Sequence, residues 1–236
     1  MSFFIPLAET KINTKNLNQI KLNISKYSPH PKKVKIIAIT KTFSFSAIES
    51  AEKQKIFNIG ESKIQETNQK LKNQKINTNT KLHLIGHLQS NKTNLAVKTY
   101  NVIHSADSIK ILNKINTSAQ KIKKKQKVFL QLNISNNPNQ KGFSINNIIE
   151  AAKHTERLPH LKLIGLMSIG EQTTNAKNIK KGFMSVQKTQ NKIVKTISPS
   201  CIGLSLGMSQ DYILALKAGS THLRLGTILF TKRNGQ

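Results

Sequence analysis

Short apolar runs rich in Val, Ile and Leu alternate along the chain with longer stretches in which apolar residues recur at helical spacing. Most of the short runs are continuous rather than alternating, which is typical of strands that are buried on both faces of a parallel sheet. Eight runs predict strands: Val34–Thr40, Ile56–Gly60, Leu82–His87, Val102–Ser105, Val128–Ile134, Leu161–Ile169, Ile202–Gly207 and Leu223–Phe230.

The stretches between these runs predict helices, because their apolar residues recur every three or four positions and so share one face. The predicted helices are Leu7–Tyr27, Ser46–Lys55, Ser62–Asn73, Ser108–Lys125, Ser144–Arg157, Asn178–Ile197 and Ser209–Lys217. Ser144 and Ser209 are the expected N-cap residues of two of them, and Gly219 follows the end of the last one.

The regular alternation of strands and helices indicates the fold class. No Gly-, Ser- or Pro-rich linker and no change of composition divides the chain. We therefore expect residues 1–236 to form a single domain, an α/β fold of the (β/α)8 TIM-barrel type with an extra N-terminal helix. A doubly wound open sheet is the alternative that the same pattern allows.

Composition narrows the cellular setting. The chain has one cysteine, Cys201, so it cannot form an internal disulfide, and nothing indicates an oxidising compartment. Its N-terminus lacks the basic region and the long apolar region of a signal peptide. No stretch approaches the roughly 20 apolar residues that a membrane span needs. We expect a soluble, cytoplasmic protein.

The net charge of +28 raises the possibility of a nucleic-acid partner. The charge is nearly all lysine, however, and the only arginines are Arg157, Arg224 and Arg233. Arginine is the better residue for bidentate contacts with phosphates and bases. Because the lysines are also spread along the whole chain, we expect no specific nucleic-acid binding, only weak binding that salt suppresses.

The first predicted strand ends directly before Lys41. A lysine at this place either reaches into solvent or is held for chemistry, because burying an ammonium group is costly. A lysine whose pKa is lowered can attack an aldehyde and form a Schiff base. Barrel proteins place their functional residues at the C-terminal ends of the strands, so Lys41 is a candidate functional residue.

Two glycine-containing segments lie where barrels of this kind bind phosphate, after the seventh and eighth strands. The first runs from strand into helix, with Gly207 allowing close backbone approach and Ser209 at the expected cap. The second contains Gly226 and Thr227. Free N–H groups in such turns suit a phosphate. The alternative is that these residues only form turns and a cap.

Arg224 lies inside an apolar strand, and arginine is almost never buried without a partner. In a barrel lumen its guanidinium could donate to an acceptor atom of a planar ligand, such as a pyridine nitrogen. The alternative is a salt bridge to a barrel carboxylate, for which Glu61 is the candidate.

These segments together resemble the pyridoxal phosphate homeostasis protein family, small barrels of the alanine-racemase N-terminal-domain type. The resemblance covers nearly the whole chain, and its segments occur in the family's order. They are Ala38–Thr42, Phe57–Glu61, Ile64–Glu66, His83–Lys92, Ile103–Asp107, Gln131–Ile134, Gly165–Ser168, Leu204–Ser209 and Ala218–Thr227.

The resemblance implies that Lys41 holds pyridoxal 5′-phosphate (PLP) as a Schiff base. It further implies that Ser209, Gly226 and Thr227 hold the phosphate and that Arg224 faces the pyridine nitrogen. An arginine keeps that nitrogen unprotonated, so the ring is a weaker electron sink than beside a carboxylate. The implied function is intracellular PLP homeostasis without turnover, in a monomer or weak dimer, with PLP-dependent apoenzymes as candidate recipients.

The chain departs from the family pattern at two places. Family members usually have asparagine after Gly60 and Glu61, where this chain has Ser62, so a cofactor contact from that position is in doubt. The loop lysine after the fifth strand, Lys141, is shifted by one position, which puts any role in cofactor handling in doubt.

The alternative function is a PLP-dependent amino-acid racemase. Such enzymes have a β-rich domain after the barrel that supplies an opposing tyrosine, whereas this sequence stops at Gln236, so we expect none. Tyr212 is expected to begin a surface helix and so to be unsuitable for that role. Other candidates are expected to be structural: hydrogen-bonded barrel histidines rather than a metal site (His83, His87 and His104), Met167 in the barrel core, and Cys201 packed as a small hydrophobe.

Overall fold

The computed structural model describes residues 10–135, 140–170, 173 and 175–231. Its eight parallel strands form a closed barrel in which each strand pairs with the next, and the last pairs with the first. Helices follow the strands around the outside. The predicted TIM-type barrel is therefore confirmed, and the open-sheet alternative is wrong. Among the helices of the described segments, none has the length and hydropathy that crossing a bilayer requires.

The strands are β1 Lys35–Ile39, β2 Asn58–Glu61, β3 Lys81–Leu84, β4 Val102–Ala106, β5 Gln126–Gln131, β6 Leu161–Met167, β7 Gly203–Ser205 and β8 His222–Leu225. The helices are α1 Thr14–Tyr27, α2 Ser46–Lys53, α3 Ile64–Leu71, α4 Thr93–Thr99, α5 Ile109–Lys121, α6 Ile148–Glu156, α7 Ala176–Thr196 and α8 Tyr212–Lys217. Short 3-10 turns span Pro31–Lys33 and Ser90–Lys92.

The differences from the predicted elements lie mainly at their ends. The extra N-terminal helix is present but begins at Thr14, where the Asn13 side chain accepts from the N–H of Asn16; Leu7 lies outside the described residues. Helix α4 was not predicted, because its seven residues are too few to show helical periodicity. Strand β8 ends at Leu225, since the carbonyl of Gly226 accepts from two later N–H groups and turns the chain.

The apolar core has two parts. The larger part lies between the barrel and the surrounding helices and contains the outward-facing strand residues. The smaller part fills the lumen around Val102, Phe129 and Met167. Met167 is thus in the barrel core, and Cys201 is fully buried just before β7, as predicted. Burial raises the pKa of the Cys201 thiol to about 12.

The width of the lumen depends on two glycines on neighbouring strands. A Cβ atom on Gly165 would lie 2.2 Å from the carbonyl oxygen of Gly203 and 2.5 Å from Cε1 of Phe129. A Cβ atom on Gly203 would likewise lie 2.8 Å from the Phe129 ring. The aromatic ring therefore occupies the space that two missing side chains leave between β6 and β7.

We expect Gly165→Ala to lower the free energy of unfolding by about 3 kcal/mol, because the added methyl group meets backbone that cannot move aside. Urea unfolding measures the change. Gly182→Ala is the control, since its Cβ would meet only the flexible end of Ile134 and alanine favours helix α7. If Gly165→Ala and Gly182→Ala lowered the free energy of unfolding equally, tight packing around Gly165 would not be the cause.

Candidate functional site

Lys41 follows the end of β1. Thr40 is fully buried, whereas the side chain of Lys41 is exposed at the mouth of the barrel. Because side chains alternate between the two faces of a strand, Lys41 continues the face that carries Ile37 and Ile39. The structure therefore shows a lysine that reaches solvent at the strand end, and its amine has no hydrogen-bond acceptor among the described residues. Thr42, the next residue, has a left-handed backbone with φ of +65°.

A charged cluster on β2 and α3 holds the backbone on both sides of Lys41. Lys70 Nζ donates to the carbonyl oxygen of Thr40 at 2.7 Å and is paired with Glu61. Glu61 also accepts from the Thr40 hydroxyl at 2.7 Å. Glu66 accepts from the N–H of Thr42 at 2.6 Å. Burial raises the pKa of Glu61, and the neighbouring Lys70 opposes that shift.

Sequence reasoning did not find Lys70 or Glu66. The available signal was the spacing of four residues between them on a predicted helix, which is typical of a paired acid and base. That spacing does not reveal a contact with a strand end distant in sequence, however. The Lys70 contact with Thr40 joins residues 30 positions apart.

Arg224 is buried in the lumen, with 5% of its surface exposed. Its Nη1 donates to the carbonyl and hydroxyl oxygens of Ser205, and its Nη2 donates to the carbonyl oxygen of Ser168 at 2.9 Å. The alternative of a salt bridge to Glu61 is wrong, because Glu61 faces α3 and is paired with Lys70. Burial lowers the pKa of Arg224 to about 10, so the guanidinium remains charged at neutral pH.

The turns after β7 and β8 contact each other through Ser209. Its hydroxyl accepts from the N–H of Ile228 at 3.3 Å. The expectation that Ser209 caps the following helix is wrong: α8 begins only at Tyr212, and Asp211 stands at its N-cap position. The physical reason is an additional turn after Gly207, closed by the Asp211 carboxylate on the N–H of Met208.

These turns carry N–H groups that are available to an anion. The N–H groups of Ser209, Gly226 and Thr227 donate to no acceptor among the described residues. Gly207 has φ of +88°, and a Cβ atom there would lie 2.6 Å from Cβ of Ala215. Glycine is thus required for the turn to pack against α8, and the turns are suited to hold a phosphate.

The other predicted positions have structural contacts. His83 and His104 are buried and hydrogen-bonded to each other, and His87 is paired with Asp107 at 2.9 Å, as expected for structural histidines. Ser62 packs through its backbone against Gly86. The side chain of Lys141 is exposed and its carbonyl accepts from Gln131 at 2.8 Å. Ser144 caps the turn that leads into α6: its hydroxyl accepts from the N–H of Asn147 at 3.3 Å, and its carbonyl accepts from the N–H of Ile148. Asn147 stands at the N-cap position of the regular helix.

A closed barrel with a lysine after β1, a buried arginine on β8 and N–H-bearing turns after β7 and β8 defines a class of protein. The family model described as alanine racemase, N-terminal domain, matches residues 15–234. An alanine racemase from Clostridium difficile 630 has the same fold, with a TM-score of 0.71 at 15% identity over 96% of this chain and 59% of that one.

Relatives with higher sequence identity indicate the family more specifically. The pyridoxal phosphate homeostasis protein of Haemophilus influenzae is 34% identical over 85% of this chain and 86% of its own length. PipY of Synechococcus elongatus PCC7942, in a structure without PLP, covers 92% of this chain and 99% of that one with a TM-score of 0.83 and 27% identity. A second PipY structure has PLP bound, with a TM-score of 0.78. The chain belongs to the pyridoxal phosphate homeostasis protein family.

We expect Lys70→Met to lower the free energy of unfolding by about 3 kcal/mol, because it leaves the buried Glu61 carboxylate without its cation. Urea unfolding at pH 7 measures the loss. Lys72→Met, which removes an exposed lysine at the end of the same helix, should change stability by less than about 0.5 kcal/mol. Similar values for the two variants would contradict a structural role for the Lys70 pair.

The lumen histidines predict a loss of stability in acid. Burial lowers the pKa of His222 to about 3, so in this range the unfolded chain, with a histidine pKa near 6.5, binds a proton that the folded chain does not. The free energy of unfolding should therefore fall as the pH falls from about 6.5 toward 3. In His222→Gln the slope between pH 5.5 and 4 should be smaller by up to about 1.4 kcal/mol per pH unit. Leu22→Gln, at an exposed residue of α1 that carries no titratable group, is the control and should keep the wild-type slope.

Proposed function

We propose that this chain binds PLP, holds it as a Schiff base on Lys41 and serves the intracellular homeostasis of the cofactor without turnover. The observation that carries the proposal is the placement of three functional elements at one end of the barrel. Lys41 follows β1, Arg224 lies in β8, and the N–H-bearing turns follow β7 and β8, which are neighbouring strands of the closed sheet. The names of the relatives and the PLP-bound PipY structure support it.

The residues present fit the cofactor. The available N–H groups of Ser209, Gly226 and Thr227 would hold the phosphate. Arg224 has about five N–H donors and uses only part of them on Ser205 and Ser168, so donors remain for the pyridine nitrogen. Bound PLP supplies an aldehyde that condenses reversibly with amines.

The contacts of Arg224 and of the tyrosines support a carrier rather than a racemase. A permanent cation beside the pyridine nitrogen keeps it from taking a proton, which disfavours carbanion chemistry. Racemisation also needs a second base opposite the lysine. The chain's three tyrosines are engaged elsewhere: Tyr100 with Thr67, Tyr212 with Asn23, and Tyr27 beside two lysines. Tyr212 begins helix α8, as expected, but its side chain is buried against α1 rather than on the surface.

The remaining parts of the proposal concern the cellular location, the oligomeric state and the recipients of the cofactor. We propose that residues 1–236 act as one PLP-binding domain in the cytoplasm, as a monomer or weak dimer. PLP-dependent apoenzymes are the proposed recipients, because their own lysines can accept the aldehyde by exchange. The exposed amine of Lys41 suits such exchange, since an incoming amine reaches it without local unfolding.

We expect the purified protein to take up PLP with visible absorbance, and Lys41→Ala to lose that absorbance. Borohydride reduction should attach the cofactor permanently to the peptide containing Lys41, which peptide mass mapping identifies. Lys53→Ala, at an exposed lysine on α2, is the control and should behave as wild type. A wild type that takes up no added PLP, or labelling at another lysine, would overturn the proposal.

Incubation of the loaded protein with L-alanine distinguishes the carrier from the racemase. A carrier releases or exchanges the cofactor and leaves the enantiomeric composition of alanine unchanged. Sustained racemisation at enzyme-like rates would contradict the absence of turnover.

A further inference from the structure

A chain of hydrogen bonds crosses the barrel lumen from Arg224 to β2. Arg224 Nη1 lies 2.8 Å from Ser205 Oγ, and Ser205 Oγ lies 3.0 Å from His104 Nδ1. His104 Nε2 lies 2.9 Å from His83 Nδ1, and His83 Nε2 lies 3.1 Å from Asn58 Oδ1. The hydrogen-bonded residues come from β8, β7, β4, β3 and β2, so this row of hydrogen bonds connects opposite sides of the barrel.

The donors and acceptors of this chain have one consistent order. Burial keeps both histidines neutral. Asn58 Oδ1 can only accept, so His83 carries its proton on Nε2, donates it to Asn58 and accepts at Nδ1. His104 therefore donates its Nε2–H to His83 Nδ1, and its own Nδ1 is left to accept the hydroxyl proton of Ser205. Ser205 Oγ in turn accepts from Arg224, and both histidines are Nε2–H tautomers.

The surroundings hold the two rings in this state. His104 is fully buried and stacks on Phe129, with centroids 4.2 Å apart and planes at 17°. His222 lies edge-on to the same rings. The titratable groups that act on these hydrogen-bonded residues are His222, Arg224 and Asp211 on one side and Lys35, Lys81 and Lys127 on the other. Burial lowers the pKa of both histidines, to about 3 for His83, and the neighbouring cations lower it further.

Among the described residues no carboxylate accepts a hydrogen bond from Arg224, and the ordered row of hydrogen bonds supplies a neutral acceptor instead. Each member presents its acceptor toward Arg224, so the dipoles align and reinforce one another in a medium of low dielectric constant. A carboxylate at the same place would neutralise the guanidinium. Neutral acceptors stabilise the buried cation and leave its charge available to a ligand.

We infer that Ser205, His104 and His83 are positioning residues that orient Arg224 and preserve its charge for the pyridine nitrogen of the cofactor. The inference rests on the proposed function. Its specific element is the proton on Ser205: with His104 Nδ1 as acceptor, the hydroxyl proton points away from Arg224 and the oxygen lone pair faces it. The opposite histidine tautomers would place two acceptors, His83 Nε2 and Asn58 Oδ1, against each other.

The first test uses the protein without added cofactor. Nitrogen-15 NMR of histidine-labelled protein should show His83 and His104 as neutral Nε2–H tautomers from pH 8 down to about 4.5, with assignment by substitution. An Nδ1–H tautomer or a protonated ring at His104 would overturn the inference whatever the protein binds.

The second test measures cofactor binding in variants. Ser205→Ala should weaken PLP binding about tenfold or more, the size of one hydrogen bond to a charged group, and should shift the visible absorbance maximum. His104→Asn, whose amide oxygen can take the place of Nδ1, should keep more of the affinity than His104→Leu. His222→Gln alters a lumen histidine outside the chain and should bind as wild type. Each variant is first shown to be folded by its unfolding transition.

The outcomes separate the two proposals. A wild type that takes up no PLP contradicts the proposed function. The NMR result then still decides the direction of the hydrogen bonds between Arg224 and Asn58. A wild type that binds PLP on Lys41 while folded Ser205→Ala shows the same affinity and spectrum would contradict the positioning role alone.

Discussion

The guanidinium of Arg224 lies in the barrel lumen, donates to no carboxylate of the described residues, and is surrounded by the polar groups of the lumen. Removing such a group from water costs several kcal/mol unless its donors find acceptors. Here the acceptors are two backbone carbonyls and the Ser205 hydroxyl. The carbonyls belong to Ser168 and Ser205, at the ends of β6 and β7, so the barrel must be closed and in register before the arginine is satisfied.

Strand alternation separates this cation from the acidic groups. Along β2, Asn58 faces the lumen, where it accepts from His83, whereas Glu61 faces α3 and pairs with Lys70. One lysine therefore neutralises the buried carboxylate outside the barrel, and the arginine inside keeps its charge. The same pair of Glu61 and Lys70 holds Thr40, so the cluster that satisfies the carboxylate also fixes the strand end that carries Lys41.

The sequence predicted the fold well because its main signal is local. Continuous apolar runs mark strands buried on both sides, and each of the eight predicted runs overlaps one strand of the barrel. The ends of the helices and strands were predicted less accurately, because they depend on turns whose hydrogen-bond partners lie far away in the sequence. Ser209 is the clearest case: its hydroxyl was expected on its own helix and instead accepts from Ile228, nineteen residues away. Helix α4 escaped detection because its seven residues are too few to show helical periodicity; in the structure it packs against α5.

The sequence by itself determined that Lys41 directly follows one buried strand and that Arg224 lies within another. A lysine after a buried run and an arginine within one are visible in the amino-acid order, because burial of charge is costly wherever it occurs. The tertiary structure decided the partners. Arg224 contacts Ser168 across 56 residues and His104 contacts Ser205 across 101, distances along the chain that only barrel closure brings together. Partner choice depends on which strands become neighbours and which faces point inward, and those relations arise only when the sheet closes.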